Sequence, residues 1–247
     1  MKWSGEELAL IEGYFKSSVT RMTLYQRLHK LNPQRTYEAI SKQISRMRLD
    51  GWLQNKEAAL KKLKVGYLDI EATNLNGNFG YIISWCIKED GKEQYNSGLI
   101  KKSEIFNYMF DKRLVEELLD AFNNYDVLYT HYGSDRRFDL PFIRTRAYAN
   151  GLEHKLPGYM DKFIMDTYPI ARNKLKLHSN RLGVIADILG ITDVKKTQLS
   201  PKIWMLASAG HPKALAYIQD HNKKDVLLLQ KVHQKLRIIE SQNFRSM

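Results

Sequence analysis

The sequence predicts an α/β protein, a mixed sheet flanked by helices, preceded by a small all-α unit of three helices. Three observations carry this expectation. Apolar residues recur at helical spacing from Trp3 to Leu53, the period changes to strand-like runs at Val65, and helical and strand-like segments then alternate toward the C-terminus. With 247 residues, 43% of them hydrophobic, the chain is long enough for a small domain and a larger one.

In the first part, apolar residues fall at Leu8, Ile11 and Phe15, at Leu24, Leu28 and Leu31, and at Ile40, Ile44 and Met47. Ser4 followed by Glu7 is a capping-box start, Asn32-Pro33 breaks the chain, and Thr36 can cap the third helix. Residues 1–53 are therefore expected to form one helical domain. Residues 54–64, QNKEAALKKLK, read as a charged helical connector without Gly or Pro, and 65–247 as the larger domain. There, runs at 65–70, 79–88 and 93–100, separated by NGN and EDGK, predict an antiparallel meander. A helix near 111–123, the apolar run VLYT, a helix opening near Pro141 and ending at Asn150-Gly151, and a strand in FIMDT follow. Ser179–Leu189 reads as a capped helix closed by Gly190, and 212–239 as a long helix.

The 39 Lys and Arg against 27 Asp and Glu give a net charge of +12, which points to a polyanionic partner, nucleic acid first. The single cysteine, Cys86, excludes an intrachain disulfide and a multi-cysteine zinc site, and its apolar setting reads as a buried small hydrophobe. No apolar run approaches a membrane span and MKWSGEEL is not a secretory signal, so a reducing cytoplasm is the expected location and no membrane partner is expected.

The chemistry lies in carboxylates. In KVGYLDIEATNL, Asp69 and Glu71 are two apart on a strand-like run, so they share one face of the sheet. Burying them is costly unless something compensates. Asp139 stands at the mouth of a helix in THYGSDRRFDLPFI, where it could also act as an N-cap, and Asp225 lies on a late helix in QDHNKKDVLLL. If the four converge they form a hard, oxygen-rich site suited to Mg²⁺ or Mn²⁺. Asp166, in FIMDT, is a rival carboxylate left outside that set.

The runs YLDIEATNL, FDLPFI and HNKKDVLLL resemble the three exonuclease motifs of the ribonuclease H-like 3′–5′ exonucleases, the DEDD family, over about residues 64–236. The likeness is to stand-alone bacterial and phage members and to proofreading domains of replicative polymerases. It implies a five-stranded ribonuclease H-like sheet and two divalent ions, Mg²⁺ or Mn²⁺, held by Asp69, Glu71, Asp139 and Asp225. It also implies removal of nucleotides from a 3′ end, and contacts from Asn74 and Leu75 to the terminal nucleotide. Family members place a Tyr four residues, or a His five residues, before the last Asp. Here His221 stands four before Asp225, the residue of one subclass at the spacing of the other, with Tyr217 one turn further back. One helical turn puts His221 on the face of Asp225, within reach of a bound water as general base.

Basic residues nearest the motifs, Arg136, Arg137, Arg144 and Lys196, are candidates for the phosphate backbone. The N-terminal part resembles a Myb-like or helix-turn-helix domain, with residues 35–48 as recognition helix and Arg35, Lys42, Arg46 and Arg48 toward nucleic acid. That module favours DNA over RNA. The sequence says nothing of protein partners. Two other readings remain open: a catalytically weak nucleic-acid-binding regulator, which the His221 spacing keeps alive, and a structure-specific endonuclease.

Overall fold

The computed structural model describes residues 3–15, 21–44, 46–47, 63–158, 161–194 and 197–240. Arg48, Lys196 and connector residues 54–62 lie outside the described residues. Contacts divide the chain into two units, Met1–Lys62 and Leu63–Met247.

In the first unit, α1 (Gly5–Phe15), α2 (Arg21–Leu31) and α3 (residues 37–44) bury Ile11, Leu24, Leu28, Ile40 and Ile44 against one another. The capping box forms in both directions: the Ser4 amide donates to Glu7 Oε2 at 2.7 Å and the Glu7 amide to Ser4 Oγ at 3.2 Å. Thr36 Oγ1 accepts from the Ala39 amide at 3.1 Å, as an N-cap does. One expectation is corrected. Arg35 does not face solvent for phosphate contact; it is buried at 5% exposure, donates to both oxygens of Glu7 at 2.7 and 2.9 Å, and lies 4.0 Å over the Trp3 ring. The Arg35 guanidinium holds the Glu7 carboxyl down at about 2. A bidentate pair with a cation–π contact satisfies a buried guanidinium, so the residue serves the helix packing. Lys42, paired with Glu38 at 2.9 Å, and Arg46 are exposed on α3 and the residues just after it.

The second unit is built on a five-stranded mixed sheet in the order β3-β2-β1-β4-β5. Its strands are β1 (Val65–Ala72), β2 (Ile82–Glu89), β3 (Tyr95–Leu99), β4 (Val127–Thr130) and β5 (Phe163–Asp166). β1 pairs antiparallel with β2 and β2 with β3, which is the expected meander, while β4 runs parallel to both β1 and β5. The register slips between Glu71 and Ala72, a bulge where β1 stops alternating and turns away.

Helices follow in chain order: α4 (Lys102–Phe106), α5 (Lys112–Phe122), α6 (Asp139–Ala149), α7 (Thr167–Lys174), α8 (Leu182–Ile188), α9 (Pro201–Ser208) and α10 (Pro212–Leu236). Of these, α4, α7 and α9 are additions to the elements expected from periodicity: they span five to eight residues, too short to establish a helical repeat. The expected Ser179 start also moves: α8 begins at Leu182 with Arg181 as N-cap and no side-chain cap.

Alternation along β1 divides the core. Leu68 and Ile70 pack with α5 and α6, whereas Tyr67 packs with Val226 and Leu229 of α10. The face that carries Tyr67 therefore also carries Asp69 and Glu71, and it is the face α10 covers. Cys86 is buried on that side, and its burial pushes the thiol up to about 12, out of the reactive range.

An ion pair fixes α6 against the sheet. Asp111, fully buried, accepts from the Ile82 amide at 2.8 Å, from Arg146 Nε and Nη2 at 2.9 and 2.8 Å, and from Asn150 Nδ2 at 3.1 Å. Arg146 Nη1 also donates to the Gly77 carbonyl at 3.0 Å, so one guanidinium joins β2, α6 and the loop that follows β1. Lysine can supply the charge but not this fork. Arg146→Lys is expected to lower the unfolding free energy by about 2 kcal/mol, read as a shift of the urea midpoint at unchanged slope.

Candidate metal centre

Three elements deliver the four acidic residues. β1 brings Asp69 and Glu71 to one face just before its bulge, α6 begins at Asp139, and α10 carries Asp225 one turn after His221. They meet electrostatically. Burial pushes the Asp69 carboxyl well above the usual range, and repulsion from Glu71, Asp139 and Asp225 adds to it. Glu71 is raised by burial and by Asp225 and Asp139, and Asp139 by burial and by Asp166. Ligand atoms of Glu71, His221 and Asp225 all lie within 4.8 Å of one another.

The donor set fits a divalent cation. Asp139 is buried at 4% exposure, and its Oδ2 has no hydrogen-bond partner among the described residues. A buried carboxylate oxygen with no donor is costly, and a hard cation relieves it together with the mutual repulsion of its neighbours. Asp139 is the first residue of α6 rather than its cap: Phe138 occupies the N-cap position, and no side chain caps there. The capping alternative is thus removed.

Asp166 is spoken for in a different way. Its Oδ1 accepts from the Tyr132 and Tyr168 amides at 2.9 and 2.8 Å, and its Oδ2 from the amide and hydroxyl of Ser134 at 3.1 and 2.7 Å. With four donors it caps α7 and ties down the loop between β4 and α6.

His221 points into the centre. Its Nε2 lies 3.6 Å from Glu71 Oε1 and 3.4 Å from Asp225 Oδ2, while Nδ1 is 2.7 Å from Thr197 Oγ1. The Tyr217 hydroxyl instead donates to the Gln198 carbonyl at 3.2 Å. A four-residue spacing on a helix does place the imidazole beside the carboxylates.

Of the residues expected to contact a strand, Asn74 and Leu75 are exposed on the loop after β1, Leu75 at 81%. The Asn74 side chain is engaged within that loop, accepting from the Asn76 amide at 3.1 Å. Arg136 is exposed, Arg144 pairs with Asp135, and Arg137 lies over the rings of Tyr132 and Tyr168 at 4.9 and 4.5 Å.

Two supporting residues escaped the sequence reading. Asn222, fully buried on α10, donates to Asp69 Oδ2 at 2.5 Å and accepts from Ser84 Oγ at 3.1 Å, orienting the carboxylate from behind. A polar residue on an otherwise apolar helical stripe was the available signal. Gly133 is the second: a Cβ on it would stand 2.1 Å from Asp139 Oδ2. Only backbone proximity demands that glycine, and local sequence carries no trace of it.

A family model described as the RNase_H superfamily matches residues 66–237. A DNA polymerase of Methanocaldococcus jannaschii is 29% identical over a segment that covers 34% of this chain and 6% of that protein, so the chain spans only a small part of that relative.

Proposed function

This chain belongs to the RNase H superfamily, and from that membership we propose that it is a metal-dependent nuclease that removes nucleotides from 3′ ends, acting on DNA in preference to RNA. The observation that carries the reading is the convergence of Asp69, Glu71, Asp139 and Asp225, with one buried oxygen among them that has no donor among the described residues. The limited similarity to a DNA polymerase supports a nucleic-acid substrate and the leaning to DNA. Among the described residues, no helix is long and apolar enough to cross a membrane.

Those four carboxylates would hold two Mg²⁺ or Mn²⁺ ions, which when bound supply Lewis-acid stabilisation of a phosphodiester and a lowered water pKa. The remaining work falls to the chain. Asn222 holds the Asp69 carboxylate in orientation, and Asp166 fixes the loop that leads to Asp139. His221 accepts the proton of the attacking water at Nε2 when Nδ1 carries its hydrogen toward Thr197 Oγ1. The N-terminal helices, resembling a helix-turn-helix unit, present Lys42 and Arg46 to a duplex backbone.

The test is a time course on 5′-labelled single-stranded DNA, duplex DNA and single-stranded RNA with Mg²⁺, Mn²⁺ or EDTA. A ladder shortening from the 3′ end and abolished by EDTA is expected. His221→Ala is expected to lower kcat about 10²-fold with KM little changed, because a general base acts in the transition state rather than in binding. Cleavage of a circular strand would replace the exonuclease by an endonuclease. Binding without any cleavage would leave a nucleic-acid-binding regulator.

A further inference from the structure

The turn between α4 and α5 carries an apolar surface that the proton and metal chemistry does not use. Phe106, Tyr108 and Met109 are 60%, 82% and 61% exposed, three large side chains within four residues. Exposed apolar groups gathered in one place and rimmed by charge mark an interaction surface. Around them stand Lys101, Lys102 and Lys112, all exposed, and Lys102 Nζ lies 5.2 Å over the Phe106 ring. None of the three lysines forms an ion pair among the described residues. The two carboxylates of residues 101–113 are already engaged: Arg113 Nε and Nη2 donate to Glu104 at 2.6 and 2.9 Å, and Asp111 is held by Arg146. The rim therefore keeps its positive charge.

The backbone of this turn is held in a costly shape. Tyr108 and Phe110 have φ of 57° and 45°, in the left-handed region that side chains other than glycine's rarely adopt. The surroundings enforce it. The Glu104 carbonyl accepts from the Met109 and Phe110 amides at 2.9 and 3.0 Å, and the Glu104 carboxylate accepts from the Lys101 amide at 2.7 Å. Behind the turn, the Phe110 ring packs on that of Tyr81, centroids 5.1 Å apart, and the Tyr81 hydroxyl donates to the Ser208 carbonyl at 2.9 Å. A turn pinned in this way does not fold its apolar side chains back against the sheet. They stand presented before any partner arrives, which lowers the ordering cost of binding.

We propose that Phe106, Tyr108 and Met109 form a docking site for an acidic segment of another protein, whose apolar side chains seat on the turn while its carboxylates meet Lys101, Lys102 and Lys112. Charge complementarity selects this occupant. A second copy of a chain of net charge +12 would bring like charge to a basic rim. Nucleic acid would meet the lysines too, but three large side chains clustered in one turn suit a compact apolar anchor better than a row of stacked bases. The neighbouring guanidinium, Arg113, is committed to Glu104 and Glu117, so no free fork is left for a bidentate phosphate contact. The site stands apart from the nuclease reading and changes no step at the carboxylates.

The experiment uses the full chain in EDTA, where no hydrolysis competes, and reads fluorescence anisotropy of labelled probes. One probe is a short peptide of Glu and Asp with Leu and Phe at i, i+3 and i+4; its controls carry Ser for the apolar residues or Lys for the acids. A single-stranded and a duplex oligonucleotide complete the set. The acidic peptide is expected to bind with an affinity that falls as salt rises, and each control about 10-fold more weakly or worse. Tyr108→Ser and Met109→Ser are each expected to weaken it about 10-fold, and Lys102→Glu with Lys112→Glu to weaken it and flatten the salt dependence. Tyr108→Gly is expected to lose binding likewise, with a melting temperature no lower than wild type, because glycine adopts a φ of 57° freely. No preference for the acidic peptide, or unchanged affinity in the variants, overturns the site. A lower melting temperature in Tyr108→Gly makes the ring part of the fold and also overturns it. Oligonucleotide affinity lost in Tyr108→Ser with no peptide bound makes the turn a nucleic-acid contact instead, and concentration-dependent dimerisation lost in that variant puts a second copy there. Cleavage of a short single strand in Mg²⁺ is scored separately: peptide binding without any cleavage overturns the nuclease alone, and cleavage without peptide binding overturns the docking site alone.

Discussion

Asp139→Asn is expected to abolish metal-dependent hydrolysis, by on the order of 10³-fold, and at the same time to make the metal-free protein more stable. Both effects come from one feature. Asp139 Oδ2 is buried without a donor among the described residues, in a cluster where Asp69 and Glu71 are also pushed above the usual carboxylate range. A carboxyl whose folded pKa lies above its unfolded value contributes its full stability below the unfolded value, about 4, and loses it as pH rises through the folded value. The metal-free fold is therefore penalised toward neutral and alkaline pH. Asparagine removes one of the charges at nearly constant shape. The melting temperature of Asp139→Asn in EDTA is expected to exceed that of the wild type by several degrees at pH 8, and by little at pH 5. Adding Mn²⁺ should raise the wild-type melting temperature at pH 8 and leave the variant nearly unmoved. A variant less stable than wild type at pH 8, or one retaining cleavage, would remove Asp139 from the centre.

Gly133→Ala is expected to cost about 10²-fold in rate and about 2 kcal/mol in stability, although it changes neither a charge nor a hydrogen-bonding group. Its Cβ would lie 2.1 Å from Asp139 Oδ2, 2.8 Å from Asp139 Cγ and 2.7 Å from Thr130 Cβ. Gly133 is not in the left-handed region, so approach rather than conformation excludes a side chain. The carboxylate must move or the loop must lift. That loop is tied by Asp166 at Tyr132 and Ser134, which leaves Asp139 to yield and displaces an oxygen from the centre. Single-turnover cleavage and urea denaturation together read the outcome. Wild-type rates in Gly133→Ala would mean that Asp139 need not sit where it does.

The sequence carried the parts whose signals are local. Alternation placed Asp69 and Glu71 on one face, the meander emerged from turn chemistry at NGN and EDGK, and one helical turn put His221 beside Asp225. Short elements were weaker: α4, α7 and α9 lack the length to display a period, and the Ser179 cap lost to a start at Leu182.

What the chain determined by itself, then, is an order of strands and helices, a basic overall charge and a set of acidic residues at strand and helix ends, all fixed by spacing along the backbone. Which polar groups pair across it was decided only by the tertiary structure. Arg35 turned inward to Glu7, Asp166 gathered four donors, Asn222 reached Asp69, and Gly133 made room for Asp139. The Arg35–Glu7, Ser134–Asp166 and Asn222–Asp69 bonds join residues 28, 32 and 153 positions apart, and the fourth depends on close backbone approach. Periodicity reports which way a side chain points; what it meets is set by close packing of segments that share no local signal.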